Sequence, residues 1–359
     1  MDFTKFYLLV LSIFIFSTTP AQEDILCMGT RMLCSKRYSD MTFPKTRASF
    51  AVQKSGHSPF ATQFLSIEEQ LNEGVLAFHL ILYDSPNSNS NSEPVLCFPN
   101  CSLLNSGKLS KTLAIFSKWL RDHPYDILTL FLENYSTVSV MSISLIFESQ
   151  GLLGYVLPKK TYEWPTLGSM VSSNKRLVVF EQQSNYLSQS INWINSYETN
   201  ILRIDFSPMY SNKTWKCGPW NPPDGKLSEI PHYAVSSITI NGALIDYLAN
   251  PDDALYMNTD EYFYNHVLIC KSSNGFNWVN FAPVDFYGIG NVKNVSIGLN
   301  YANASLDDCD FLPEFYRRTA PSFNDVIKAV KGLSTSINCL AIERYIQLFV
   351  FWFVLVFFG

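Results

Sequence analysis

The sequence predicts an α/β protein built as a single TIM-type β/α barrel. Three observations carry that expectation. Apolar runs of strand length alternate with helical patterns along most of the chain, the order a parallel barrel requires. Several runs end on polar or charged residues, as strands do where they open onto a barrel mouth. Of the 359 residues, roughly 310 remain once an apolar stretch at each end is set aside, a usual size for one such domain.

The elements follow in order. Residues 22–40 form a cysteine-bracketed cap, and the barrel spans 41–331. Met41-Thr42-Phe43 is the first strand, running into the turn Pro44-Lys45-Thr46-Arg47-Ala48-Ser49. Gln53 to Gln63 is a polar loop with His57. Ser66-Ile67-Glu68-Glu69 is a capping box, so a helix runs to Asn72 and Gly74 ends it. Val75 to Tyr83 is the second strand and Val95-Leu96-Cys97 the third, with a Ser/Asn/Pro-rich loop between them. Leu109, Leu113, Phe116 and Leu120 fall at helical spacing, and Pro124 stops that helix. Ile127 to Leu132 is the fourth strand, ending on Glu133 and Asn134. Val140 to Ser149 is helical, and Thr166 caps a further helix. Leu177 to Phe180 is the fifth strand, ending at Glu181. Ile201 to Asp205 and Ile238-Thr239-Ile240 are the sixth and seventh strands, separated by the Gly/Pro-rich loop Trp215 to Lys226. Asp260 to Lys271 is a helix. Phe281 to Phe286 is the eighth strand, with Asp285 near its end, and Phe323 to Lys331 is a last helix. Eight strands predict a closed barrel.

The hydrophobic share of 47% is ample for such a core, and the net charge of -5 with no basic run argues against nucleic acid as a partner. Met1 to Ala21 carries Lys5, an apolar run from Phe6 to Phe16 and small residues near Ala21, the pattern of a cleaved signal peptide. Residues 332–359 read as a GPI-attachment signal: small residues, a spacer and an uncharged apolar tail. Ser334 or Ser336 is the expected attachment residue, with Gly332 and Asn338 as alternatives; a short C-terminal tail anchor is the other reading. Both predict the secretory pathway and an extracellular, membrane- or wall-attached protein. In that compartment eight cysteines should mostly pair. Cys27 with Cys34 and Cys97 with Cys101 are close enough to bridge; Cys217, Cys270, Cys309 and Cys339 stay open, and cleavage at Ser334 or Ser336 removes Cys339. No cysteine or histidine spacing points to zinc. Asn100, Asn212, Asn294 and Asn303 are expected glycosylation sites, and Asn134, at a strand end, is the least suited.

Several segments line up with a family. They are Cys27 to Phe50, Gln70 to Val75, Leu96-Cys97, Glu163 to Leu167 leading into Lys175 to Phe180, and Trp278 to Tyr287. In that order and spacing the chain resembles the phospholipase C-like phosphodiesterases of the phosphatidylinositol-specific type, in their secreted fungal and plant branch. The resemblance covers about Cys27 to Leu299. It implies a phosphoric diester hydrolase with one imidazole in a Gly-x-His-Asn-Ser turn after the first strand. It implies a second in a Leu-Cys-His turn after the third. It also implies carboxylates on the second and fourth strands that bind calcium or orient those groups in many members.

This chain departs from that pattern where the chemistry needs it most. Cleavage by a neighbouring hydroxyl requires a base, an acid for the leaving oxygen, and positive charge for the phosphorane. Arg47 stands at the first histidine and Ala48 at the asparagine, Phe98 stands at the second histidine, and His79 and Ile81 hold the second-strand carboxylate positions. Arginine stays protonated and phenylalanine has no proton to give. The expectation is a pseudoenzyme: a surface module of this barrel type that binds a phosphorylated, inositol-like or glycan ligand, or serves as structure. The alternative is an active phosphodiesterase rebuilt on His57 or His79 with Glu133. His57 reads as an exposed loop histidine and His79 as a satisfied core histidine. Glu133 alone offers too few oxygens for calcium, so no cofactor is expected; its expected partner is Arg47. Arg47, Glu133, Asn134, Glu181 and Asp285 are the candidate ligand-binding residues at the barrel mouth.

Overall fold

Eight parallel strands form the frame of the computed structural model, which describes residues 25–53, 59–86, 93–159, 163–183, 186–203, 217, 226–240, 242–274 and 278–301. The strands are β1 (Phe43–Thr46), β2 (Ala77–Tyr83), β3 (Val95–Cys97), β4 (Asn105–Lys108), β5 (Leu128–Asn134), β6 (Leu177–Gln182), β7 (Ile194–Ser196), β8 (Ile201–Arg203), β9 (Leu227–Glu229), β10 (Ser236–Ile240), β11 (Ala243–Leu248) and β12 (Phe281–Val284). The helices are α1 (Ile67–Asn72), α2 (Leu109–Asp122), α3 (Val140–Ser149), α4 (Leu167–Ser172), α5 (Tyr186–Ser190), α6 (Tyr197–Asn200), α7 (Pro251–Met257), α8 (Asp260–Asn274) and α9 (Val292–Tyr301).

The parallel sheet runs β7-β6-β5-β2-β1-β12-β9-β8 and curls into a barrel. Among the described residues no ladder joins β7 to β8, so the barrel is open there and the expectation of closure is corrected. Two further assignments change. The third predicted strand, β3, pairs antiparallel with β2 and with β4, so it flanks the barrel rather than building it. The predicted seventh strand, β10, forms an antiparallel hairpin with β11 outside the barrel. Their places are taken by β7 and β9, three-residue strands too short to show a period in the sequence.

The elements that carried strong local signals formed as expected. Ser66 caps α1 by accepting from the Glu69 N–H, and the Glu69 side chain returns to the Ser66 N–H. Thr166 caps α4 by accepting from the Ser169 N–H, and Ser139 caps α3 by accepting from the Ser142 N–H. The helix α2 buries Leu109, Leu113, Phe116 and Leu120, and Phe116 packs on Phe78 of β2 at 4.8 Å between ring centroids. The C-terminal end of α2 is closed by buried Arg176, which donates to the carbonyls of Leu120, His123 and Asp126. A cation there meets the negative end of the helix dipole. The barrel interior is aromatic: Phe131 stacks on Phe180 and meets Phe281 edge-on at 4.9 Å. Burying such rings dominates the stabilisation of the core.

Both expected near disulfides are formed, Cys27–Cys34 and Cys97–Cys101, and Cys217 pairs with Cys270. Asn100 is exposed, Asn294 is half-buried and Asn134 is buried. Asn212, Asn303, Cys309, Cys339, Ser334, Ser336 and the predicted helix Phe323 to Lys331 lie outside the described residues. Among the described residues no helix is long and apolar enough to cross a membrane.

A buried imidazole pair braces the β9–α8 side of the barrel. His232 Nε2 lies 2.8 Å from the Met257 carbonyl and must carry a proton to bond there. The 2.8 Å contact between the Nδ1 atoms of His232 and His266 is then donated by His266. Burial pushes the His232 imidazole down to about 4 and also lowers His266, which the charge of His232 lowers further. Between pH 6.5 and 4 the unfolded chain therefore binds a proton at His232 that the folded chain does not. Stability falls as pH drops through that window, by about 3 kcal/mol for His232 once the pH is below it. Urea unfolding midpoints at pH 7 and pH 4 should differ in that direction. His232→Gln should flatten the difference; an undiminished slope in that variant would place the acid sensitivity elsewhere.

Candidate functional site at the barrel mouth

The C-terminal ends of the parallel strands enclose a cavity of about 330 Å³. Its floor is charged and its walls are aromatic. Lys45 projects inward from β1, fully buried, with Nζ 2.7 Å from Glu229 Oε2 and 3.5 Å above the Phe131 ring. Tyr197 donates to Glu229 Oε1 at 3.0 Å. Arg203, at the end of β8, has Nε 3.9 Å from Glu229 Oε1 and Nη2 3.3 Å from the Tyr233 hydroxyl. Burial alone would raise the Glu229 carboxyl, but Lys45 and Arg203 outweigh it and hold the group below its ordinary value. Burial lowers the Lys45 ammonium, with Glu229 opposing.

Arg47 follows β1 directly. Its guanidinium grips Asp285 with two hydrogen bonds, Nε to Oδ1 at 2.8 Å and Nη2 to Oδ2 at 2.6 Å. It also lies between two rings, with Cζ 4.5 Å from the centroid of Tyr233 and 5.4 Å from that of Phe98. Such stacking suits a delocalised cation. The turn is fixed from behind. Thr62 Oγ1 donates to the Arg47 and Ala48 carbonyls, and Gln63 Nε2 donates to the Arg47 and Val284 carbonyls. Ala48 has φ 37°, in the left-handed region, which asparagine tolerates better than alanine. That conformation aims the Ala48 N–H at His79 Nδ1, 3.3 Å away.

This contact decides the state of His79. Nδ1 accepts, so the proton of the neutral ring sits on Nε2. Nε2 lies 2.7 Å from Glu133 Oε2, although that oxygen is out of line with the ring N–H. Burial lowers the His79 pKa, with Glu133 opposing. For Glu133 burial acts upward, but His79, the Tyr135 hydroxyl 2.6 Å from Oε1, and Lys45 outweigh it and bring the carboxyl down to about 2. At neutral pH the pair is a neutral imidazole beside a carboxylate.

The expected residues are therefore only partly brought together. Arg47, His79, Ile81, Phe98 and Glu133 line the cavity. Asp285 reaches it only through Arg47. Three expectations are corrected. Arg47 pairs with Asp285, not Glu133, because Asp285 directly follows β12, which β1 pairs with in register. His79 is a cavity-lining residue beside Glu133 rather than a core histidine. Asn134 and Glu181 turn away: Asn134 Oδ1 accepts from Ser136. Glu181 accepts from the Leu187 and Ser188 N–H groups at the start of α5. Their neighbours Gln182, Gln183 and Tyr135 line the cavity instead. His57 lies outside the described residues.

Sequence reasoning missed Lys45, Arg203, Glu229 and Tyr233. Arg203 and Lys45 were visible at strand ends; Glu229 was hidden in β9, a strand with no periodic signal. The carboxylates do not suit calcium, which takes six to eight oxygens. The Glu133 oxygens face His79 and Tyr135, those of Glu229 face Lys45 and Tyr197, and those of Asp285 face Arg47.

A family model for the PI-PLC X domain matches residues 33–300. The chain belongs to the PI-PLC X family. Two curated relatives come from Arthroderma benhamiae. An uncharacterized secreted protein is 29% identical over 288 residues, covering 74% of this chain and 61% of the relative. A PI-PLC X domain-containing protein 1 is 27% identical over 175 residues, covering 46% of this chain and 53% of the relative. The chain thus spans little more than half the length of the curated relatives it matches. A solved phosphatidylinositol-specific phospholipase C of S. aureus aligns with a TM-score of 0.50 at 11% identity, covering 76% of this chain and 97% of that one. That similarity is one of fold.

Proposed function

We propose that this PI-PLC X barrel binds an inositol-like or phosphorylated polyol head group at its mouth without cleaving it. We place it as an extracellular, glycosylated protein held to the membrane by a GPI anchor. One observation carries the catalytic half of this reading. The cavity histidine has Nδ1 committed to the Ala48 N–H and Nε2 turned towards Glu133. No lone pair faces the space where a substrate hydroxyl would sit, and a general base needs one. Arg47 and Phe98 supply neither an acid nor a base.

The lining supports the ligand class. Lys45 and Arg203 both face Glu229, and His79 faces Glu133, so donors and acceptors lie side by side around the floor. A polyol hydroxyl both donates and accepts, and suits such a floor better than a bare anion does. The stacked rings of Tyr83 and Tyr135 form an apolar wall for ring C–H groups. Arg203 has a more exposed side chain than Lys45 or Arg47, at 36%, and is placed to meet a phosphate. The secreted relative supports the compartment.

The purified protein should show no turnover of phosphatidylinositol or of a soluble chromogenic diester above a His79→Ala control, with calcium or with chelator. Calorimetry with inositol phosphate should detect binding that Arg203→Ala weakens about tenfold or more. The second reading, an active site on His79 and Glu133 with or without His57, rests on the 2.7 Å contact between the first two. Turnover that His79→Ala removes would replace our reading with that one.

A further inference from the structure

A second cavity, of about 520 Å³, lies at the opposite end of the barrel. Thr42 and Phe43 at the start of β1, Leu76 ahead of β2 and Asp126 ahead of β5 all line it. Parallel strands put their starts at one end, so this space is separate from the mouth. Its size falls within the range of small-molecule sites, roughly 300–1,000 Å³. Leu33, Phe43, Leu71, Leu76, Trp119 and Ile297 make it mainly apolar. Gly29, Asn72 and Gly74 on its rim are exposed and open it to solvent.

Ser296, on α9, is 2% exposed and its Oγ has no hydrogen-bond partner. A buried hydroxyl left unpaired is costly and calls for a ligand or water to meet it. Several of the polar groups around it are committed. Asn300 bonds both ways with the Thr42 backbone. Asp126 accepts from Trp119 Nε1 at 3.0 Å. His123 Nδ1 faces the Trp119 carbonyl, and Lys293 pairs with Glu73.

We infer that this cavity binds an uncharged long-chain alcohol, with the chain along the apolar wall and the hydroxyl bonded to Ser296 Oγ. Charge argues against the carboxylate analogue. Asp126 brings a carboxyl into the lining, and an anion bound beside it would meet repulsion. Lys293, the cation at the rim, already has Glu73. This inference goes beyond the reading of the mouth and does not depend on it.

The test titrates the full-length protein with dodecanol. Emission of Trp119, identified with Trp119→Phe, and thermal unfolding are followed together. Dodecanol should bind saturably and raise the unfolding temperature. Ser296→Ala should weaken binding about three- to tenfold, the worth of one hydrogen bond. Ile297→Trp should abolish it by filling the space; Ile297 is half-buried, so the larger ring can be accommodated. Dodecanoate should bind at least tenfold more weakly than dodecanol, and inositol phosphate at the mouth should leave dodecanol binding unchanged. The inference is overturned by absence of saturation, by unaltered binding in Ile297→Trp, by dodecanoate binding more tightly, or by competition from inositol phosphate.

Discussion

Replacing Asp285 with alanine should destabilise the protein by about 3–5 kcal/mol, because it strands the buried Arg47 guanidinium. Both side chains are almost wholly enclosed, at 7% and 5% exposure, so water cannot replace the lost carboxylate. The stacking of Tyr233 and Phe98 on Arg47 does not compensate, since ring faces offer no hydrogen-bond acceptors equal to two carboxylate oxygens. Total stabilities of about 5–15 kcal/mol make this a loss that lowers the yield of folded protein. Removing both charges together, as Arg47→Met with Asp285→Leu, should cost far less and can come out near neutral. Urea unfolding of the single and double variants measures the difference. Equal losses in the two would mean that the pair's charges are not what holds this corner.

Histidine placed at both altered positions should create phosphodiesterase turnover at least about 100-fold above the unmodified protein. In Arg47→His the Asp285 carboxylate remains in place and can orient the new imidazole as a base. In Phe98→His a second imidazole arrives on the facing side, able to protonate the leaving oxygen. Either change alone supplies one partner of a two-proton reaction and should gain little. The comparison uses phosphatidylinositol and the single and double variants, each checked for a cooperative melt. A folded double variant with no gain would show that the obstacle lies elsewhere. Lys45 is the next suspect, because its side chain fills the floor and holds Glu229 at 2.7 Å.

The family barrel was legible in the sequence because its signals are local. Capping residues Ser66 and Thr166, the period of α2 and the apolar runs of β2, β5 and β6 each act within a few residues. What was not legible depended on partners far along the chain. The choice of Asp285 over Glu133 for Arg47 follows from β12 lying beside β1, across 238 residues of sequence. The hairpin β10–β11 and the barrel strand β9 lie close together in sequence, and the longer, more apolar run turned out to be the peripheral one. Glu181 and Asn134 looked like ligands because they end strands, yet each serves the backbone of the following turn.

The unjoined edge between β7 and β8 sets how the mouth can deform. On the β7 side the cavity is lined by Gln182 and Gln183 at the end of neighbouring β6, and on the β8 side by Arg203 at the end of β8 and Tyr233 beyond β9. Widening the gap between these rims breaks no backbone ladder among the described residues, whereas widening it anywhere else does. The amide protons of β7 and β8 should therefore exchange with heavy water sooner than those of β5 and β6. A ligand that bridges the two rims should slow that exchange more than it slows any other part of the barrel, acting as a clasp on an otherwise unfastened ring.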